Sequence, residues 1–363
     1  MNLSLDQVNI MPAPTWRWLG INSVPLKGSV PDFLPYSGEP LSALPEGVLI
    51  SNGPFLGAEP ETGMGGEAAD FVKENSTYGL SLHVGPGVKV KKPISLNFLL
   101  DEKNPALADD IEVIADEGSE VTIVMSYHSA EELKGFHGGL TKLHAAKGAV
   151  IHLVQVQLLG SQCVHFDNIG AAAGKGASID IIQAELGAGK VFSGIKTRLD
   201  GTGSNLDINT IYFGDGSRSI DMNYLAEHAG CKTKSEIHVG GALLDRSGKT
   251  FRGTINFLKG AKRSVGHESE FNLLFSPKVR CRTAPLILCS EEDVDGQHAA
   301  ATGRIDAQRL FYLMSRGLSE MDAKKLLIEA QFRPVTDRIP DESLRAAVTD
   351  YVKVRLTKFE PVG

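Results

Sequence analysis

From Val121 to Phe257 the chain reads as a series of strands. Val121-Thr122-Ile123-Val124-Met125, Val150 to Leu159, Ile179-Asp180-Ile181-Ile182, Leu206 to Tyr212 and Phe251 to Phe257 alternate apolar with polar residues or hold short apolar runs. Gly201-Thr202-Gly203, Asp215-Gly216 and Ser247-Gly248 separate them as turns. Apart from a short turn at Ala130 to Leu133, helical periods are scarce between the strands. Consecutive strands without intervening helices argue against a doubly wound α/β fold. Two all-β solutions remain, a sandwich or barrel and a solenoid of stacked rungs. A solenoid should show a repeat, and no sharp repeat of fixed length is visible, so the residues leave this choice open.

Nine of the 17 prolines lie in the first 60 residues, and none lies between Pro105 and Pro277. Proline removes a ladder donor, so the proline-free stretch is permissive for central strands. It also carries 23 of the 39 glycines, dispersed as many turns require. The pattern becomes helical from Asp306. Leu310, Phe311, Leu313 and Met314 form a stripe closed by Gly317 as C-cap. Ser319 caps a second helix with Asp322 in capping-box position. It presents Ala323, Leu326, Leu327 and Ala330 on one face and is stopped by Pro334. A third helix starts near Pro340-Asp341 and presents Leu344, Val348, Tyr351, Val352 and Leu356. The expected plan is an irregular proline-rich head (1–80), a β-body (81–303) and a helical tail (304–363). Trp16 and Trp18 in the head are expected to anchor it to the body.

Composition excludes several functions. The net charge is −7 and no dense Lys/Arg block occurs, which argues against nucleic acid as a partner. No apolar run approaches the roughly 18 residues of a membrane helix. The first residues lack a basic region followed by an apolar one, so the expected location is the cytoplasm. The four cysteines, Cys163, Cys231, Cys281 and Cys289, form no CxxC pair and read as small hydrophobes. Gly170-Ala171-Ala172-Ala173-Gly174-Lys175-Gly176 falls one residue short of a phosphate loop and puts Gly176 where a hydroxyl should meet Mg²⁺, so it reads as a turn. His137, His144, His152 and His165 are too irregularly spaced for a helix-borne zinc site and read as hydrogen-bonded surface or edge residues. No GxSxG elbow marks a hydrolase nucleophile. Glu291, Glu292, Asp293 and Asp295 near His298 read, on their own, as a solvated turn.

The run Thr283-Ala284-Pro285-Leu286-Ile287-Leu288-Cys289 to Asp293-Val294-Asp295-Gly296-Gln297-His298-Ala299, followed by Gly303-Arg304-Ile305-Asp306, resembles the SufD/SufB family of iron–sulphur cluster assembly scaffolds. Family members carry a T-x-P-x-L strand, an acidic D-V, C-S-H-G-A and a G-x-[IL]-D helix entry. Leu310-Phe311-Tyr312-Leu313-Met314-Ser315-Arg316-Gly317-Leu318 resembles the L-F-Y-L-x-S-R-G-[IL] that follows, and Asp322-Ala323 and Leu326-Leu327-Ile328 continue it. Phe251-Arg252-Gly253-Thr254-Ile255 and Pro14-Thr15-Trp16-Arg17-Trp18-Leu19 extend the likeness more weakly. A SufB-like chain would carry Q-C-D-S-L-L and V-E-H-E-A-T. This chain has Ser269-Glu270-Phe271-Asn272-Leu273-Leu274, with Glu270 near the cysteine position, and Asp295-Gly296-Gln297-His298-Ala299-Ala300. The resemblance is therefore to a SufD-like member.

The resemblance implies a mainly β fold, a right-handed parallel β-helix with a C-terminal helical domain. It implies a non-enzymatic scaffold that pairs with a SufB-like protein through the β-helix and docks a SufC-like ABC ATPase through the helices. His298 stands at the histidine of C-S-H-G. The resemblance implies a place for it at the partner interface as an iron ligand shared with the partner chain, a role that suits an imidazole oriented by acidic neighbours. Any cofactor is then a transient cluster or iron at that interface, and none belongs to the isolated chain. Gly296 replaces the cysteine of C-S-H and Ala299 the following glycine, so a role needing that cysteine is missing. For the ATPase, Arg316 and Lys324 are the expected contacts, with Phe311 and Leu326 expected in the core of the tail. Two alternatives are a self-paired homodimer and, less in keeping with the charge, a β-helix enzyme acting on acidic polysaccharide.

Overall fold

The computed structural model describes residues 1–50, 59–304 and 307–357. The entry into the first tail helix at Ile305-Asp306 lies outside the described residues. The head is more regular than its prolines suggest. β1 (Asn2–Val8) and β2 (Val24–Ser29) pair antiparallel. β3 (Val48–Ile50) and α1 (Gly66–Asn75) precede β4 (Tyr78–Val84). Its prolines fall mainly in the connections. Trp16 and Trp18 do not anchor it: they stack on each other at 6.1 Å and are 72% and 75% exposed. Met11 and Ile21 are the apolar anchors, packed on Ala284, and the buried Arg252 guanidinium donates to the Ile21 carbonyl.

The body is a parallel β-solenoid of about 8 turns. Its strands are β5 (Ile94–Leu100), β6 (Ala106–Ala115), β7 (Glu120–Ser129), β8 (Phe136–Ala145), β9 (Val150–Leu158), β10 (Val164–Ala173), β11 (Ser178–Glu185), β12 (Lys190–Leu199), β13 (Asn205–Gly214), β14 (Ser219–His228), β15 (Lys234–Leu243), β16 (Gly248–Phe257), β17 (Ser264–Leu274), β18 (Arg280–Cys289) and β19 (Val294–Arg304). The odd strands β5 to β19 stack into one eight-stranded sheet, and the even strands form the opposite wall. Between β8 and β10 the even wall keeps its end hydrogen bonds, Val164 N–H to Gly135 O at 3.0 Å and Gly174 N–H to Ala145 O at 2.8 Å. Side chains at alternate positions, such as Ile151, Leu153, Ile179, Ile181, Leu206 and Ile208, fill the space between the walls.

The repeat is hidden because its length varies. Val164 pairs with Lys190, a step of 26 residues, whereas Gly248 pairs with Arg280, a step of 32. The segment that imitates a phosphate loop is the end of β10 and a rung turn. Gly176 has φ +64° and donates to Thr202 O, as Gly148 does to Lys175 O one rung earlier. Stacking thus places residues with positive φ one above another, and glycine suits most of these positions.

Parallel sheets need cover on both faces. Leu3, Leu5, Val8, Ala68 and Phe71 cover Phe136, Leu140 and Phe166 on the even wall. On the odd wall the cover is α3 (Glu320–Thr336) and α4 (Glu342–Thr357) of the tail, and α2 (Ala307–Ser315) packs on α3. Ile328, Phe332, Val335, Leu344, Val348, Val352 and Leu356 pack on Val154, Val156, Ile182, Ile211 and Phe213. Each is worth about 1.5–3 kcal/mol as a buried side chain. The tail therefore shares its core with the sheet. Arg355 fastens it, giving Nε–H to Asp215 Oδ2 at 2.8 Å and further bonds to the Leu186 and Phe213 carbonyls. Pro334 does not stop α3, which runs on to Thr336, because its missing N–H costs only one bond near the helix end. Ser319 does cap α3, its Oγ accepting from Asp322 N–H at 3.1 Å.

Candidate functional site

The solenoid ends on β18 and β19, with nothing among the described residues stacked beyond them. In β17 Ser264, Gly266, Glu268, Glu270 and Asn272 are the buried positions, so this set faces the lumen. The register aligns Glu268 with His298 and Asn272 with Thr302. His298 is thus on the lumen face of the last rung and exposed, because no further rung among the described residues covers it. The acidic residues beside it in sequence do not orient it. Glu291 accepts from Gly260 N–H at 3.0 Å, and Asp295 accepts from Gln297 at 3.2 Å. The carboxylate in register with His298 comes from one rung earlier. Glu268 is buried, neither oxygen has a hydrogen-bond partner among the described residues, and burial, with the Glu270 charge, raises its pKa to about 7.

Beneath this mouth lies a fully buried Lys249–Glu270 ion pair. Thr283 Oγ1 accepts from Lys249 Nζ at 3.0 Å and donates to Glu270 Oε2 at 2.5 Å. Glu270, at the position where a SufB-like chain would carry cysteine, is therefore committed to a cation. Cys281 is half-buried in register with Lys249, and burial raises its thiol pKa. A raised pKa disfavours the thiolate that binds metal. Cys163 is buried, Cys231 is half-buried, and Cys289 is exposed on the last rung of the even wall. At Gly296 a Cβ would meet Phe257 Cε2 at 2.9 Å, so a cysteine here would have to displace that ring.

The tail presents different residues from those expected. Lys324 is buried and pairs with Glu320 at 2.5 Å, so it is not an open contact. Leu326 is exposed, and Phe311, also expected in the core, is 72% exposed. The buried face of α3 is Ala323, Ile328, Phe332 and Val335. Arg316 is exposed, its guanidinium 5.2 Å from the Tyr312 ring centre. With Tyr312 and Met314 it makes α2 an apolar, cation-edged surface not covered by the described residues.

A second cluster lies deep in the lumen. His137 and His165, expected at a surface or edge, are fully buried. They are 28 residues apart because β8 and β10 are successive rungs of one wall. Their Nδ1 atoms face each other at 2.7 Å. His137 Nε2 meets Asp109 Oδ1 at 2.5 Å, and Asp109 Oδ2 accepts from Tyr127 OH at 3.1 Å. His165 Nε2 lies 3.2 Å from Asp167 Oδ2 and 3.4 Å from Glu185 Oε2. Burial lowers the pKa of His137. Burial opposes protonation of His165, but Asp167 and Glu185 outweigh it and raise its pKa to about 10. His165 is therefore the charged ring, and it donates Nδ1–H to His137 and Nε2–H to Asp167, with Glu185 close by. A spacing of one rung was the signal in the sequence, and it is visible only once the rung length is known.

The family model described as "SUF system FeS cluster assembly, SufBD core domain" matches residues 98–331. The chain is 27% identical over 277 residues to iron–sulphur cluster assembly protein SufD of Bacillus subtilis, covering 76% of this chain and 63% of that protein. It is 30% identical over 270 residues to an iron–sulphur cluster assembly SufBD family protein of Pyrococcus horikoshii, covering 73% and 59%. With SufD of Escherichia coli the figures are 26% over 241 residues, 66% and 57%. The chain thus spans about six-tenths of the length of these curated relatives.

Proposed function

The chain belongs to the SufBD family of the SUF iron–sulphur cluster assembly system, and from that premise we propose that it is the SufD-like, non-enzymatic half of a scaffold complex in the cytoplasm. Its last rung pairs with a SufB-like protein, and the nascent cluster, as cargo, is held at that junction. The observation that carries this reading is the placement of His298, exposed on the lumen face of an uncapped rung and in register with the unpartnered Glu268. Among the described residues no strand lies on the outer edge of β19, which leaves it open to another chain. His298 supplies a neutral imidazole for iron, and Glu268 accepts its other N–H or takes up a proton as the cluster forms. The thiolates and inorganic sulphide come from elsewhere: of the two thiols on the last rung, burial disfavours the Cys281 thiolate and Cys289 donates to the Glu291 carbonyl at 2.9 Å.

The ABC ATPase, SufC-like, docks on α2. Phe311, Tyr312 and Met314 form the apolar patch and Arg316 its charged edge, an aromatic and arginine composition that suits an interface core. Lys324 has no part in this contact. Because α3 and α4 share a core with the odd wall, force on α2 is transmitted toward the solenoid.

The test is to co-purify His298→Ala with the SufB-like and ATPase partners and to measure iron and acid-labile sulphide after reconstitution. The complex should assemble normally and hold markedly less cluster. Undiminished cluster in the variant complex would refute the role of His298. Recovery of only this chain, as a dimer able to hold cluster, would favour self-pairing instead.

A further inference from the structure

The lumen cluster of Asp109, His137, His165, Asp167 and Glu185 is not explained by a scaffold role at the open end. It belongs to the middle rungs, whereas His298 lies on the last one. Three carboxyl groups enclose two imidazoles, and among the described residues none of the three pairs with a lysine or arginine. Buried carboxylates call for a positive partner. Both imidazoles are turned the same way. Each has its Nε2 on a carboxylate, which leaves the two Nδ1 atoms pointed at one another at 2.7 Å. Two lone pairs cannot face each other at that distance, so something positive must lie between them. In the structure as described this is the His165 proton.

Three further observations favour a metal ion in the proton's place. One ligand atom each from His137, His165 and Asp167 can be chosen so that all lie within 4.8 Å of one another. Asp167 is fully buried, and its Oδ1 has no hydrogen-bond partner among the described residues. The wall beside it is Gly139. A Cβ there would stand 2.7 Å from Asp167 Oδ1 and 3.2 Å from His137 Cε1. The chain thus leaves room at the unsatisfied oxygen.

We propose that His137, His165 and Asp167 form a buried site for a divalent first-row transition-metal ion, with Asp109 holding His137 Nε2 and Glu185, 3.4 Å from His165 Nε2, taking over that nitrogen when Asp167 turns to the ion. Carboxylates that hold the far nitrogen of a ligating histidine are the usual outer partners of such sites, and two histidines with one carboxylate suit these ions. Nitrogens bound at about 2.05 Å stand roughly 2.9 Å apart at a right angle and about 3.3 Å apart in a tetrahedron. The observed 2.7 Å lies nearer the first, so a six-coordinate ion such as Fe(II), Mn(II) or Co(II) needs less rearrangement than tetrahedral Zn(II). Binding forms two N–metal bonds and one O–metal bond and releases the proton from His165 Nδ1 to solvent. Because the site is enclosed, loading belongs to folding or to transient opening of the rungs.

This proposal does not rest on the scaffold reading and is tested apart from it. The full chain is produced in medium supplemented with Mn(II) or Co(II), freed of loose metal with a chelator, and analysed for metal content. We expect about one equivalent, a cobalt spectrum of nitrogen and oxygen ligands without thiolate charge-transfer bands, and full retention in His298→Ala. Asp167→Asn and His165→Gln, checked for native circular dichroism, should each lose most of the metal. Wild-type chain that keeps no metal overturns the proposal whether or not the variants fold. A folded variant that keeps the full equivalent, or a thiolate cobalt spectrum, overturns it as well.

Discussion

Replacing Glu268 by glutamine isolates the cost of an ionised carboxylate at the solenoid mouth. The unfolded chain titrates this group near its ordinary value of 4.5, and the folded chain near 7. The sign follows directly. A raised acid favours folding while it is protonated, so its contribution is complete below about pH 4.5 and is lost as pH rises through 7. The gap of about 2.5 units corresponds to up to about 3 kcal/mol. At pH 8 the Gln variant should exceed wild type by that order, and at pH 4 the two should be equal. Both acid oxygens lack partners, so the amide forfeits no existing hydrogen bond. Urea denaturation at both pH values measures the difference, and other titrating groups cancel between the two proteins. Solenoids are nearly one-dimensional, and an end rung can fray before the body melts. Amide exchange over Val294–Arg304 therefore gives a local reading, with slower exchange in the variant at pH 8. An equal advantage at both pH values, or none at pH 8, would refute the argument that desolvation governs this residue.

Gly139→Ala places a methyl 2.7 Å from Asp167 Oδ1 and should cost about 1–3 kcal/mol by overpacking, seen as a lower thermal midpoint. Arg355→Ala leaves the Leu186 and Phe213 carbonyls without their donor, while Asp215 keeps Arg218 at 2.6 Å, and should destabilise by about 1–3 kcal/mol, with α4 becoming sensitive to protease. Phe311→Asp on the exposed face of α2 should change stability by less than about 0.5 kcal/mol while weakening ATPase binding at least tenfold by calorimetry. If binding is unchanged, α2 is not the docking surface.

Histidine spacing shows how readability failed. His137 and His165 are adjacent in space because one rung separates them, yet rung steps range from 26 to 32 residues, so no fixed period announces the pairing. The same stacking sets Glu268, and none of the acidic residues next to His298 in sequence, in register with His298. In the tail, α4 was legible because Leu344, Val348 and Val352 follow one helical face. The face of α3 was misjudged, since Leu326 and Ile328 are equally apolar and only the sheet decides which is buried. Phe311 differs from expectation for a related reason: an exposed apolar residue and a core residue look alike in sequence until the packing around them is known.

By itself, the sequence determined what short-range physics controls: strands from alternation, turns from glycine, the Ser319 cap, the helical tail and the family-like run around His298. The tertiary structure decided what depends on stacking. It bore out the parallel β-solenoid that the family resemblance implied and the strand pattern left open, put His298 at an open lumen, buried Lys324, exposed Phe311 and joined two histidines and three carboxyl groups in one enclosed cluster. Local patterns report which face of an element is apolar, but a parallel solenoid brings together residues about thirty positions apart through rungs of unequal length. Distance along this chain therefore does not disclose proximity in space.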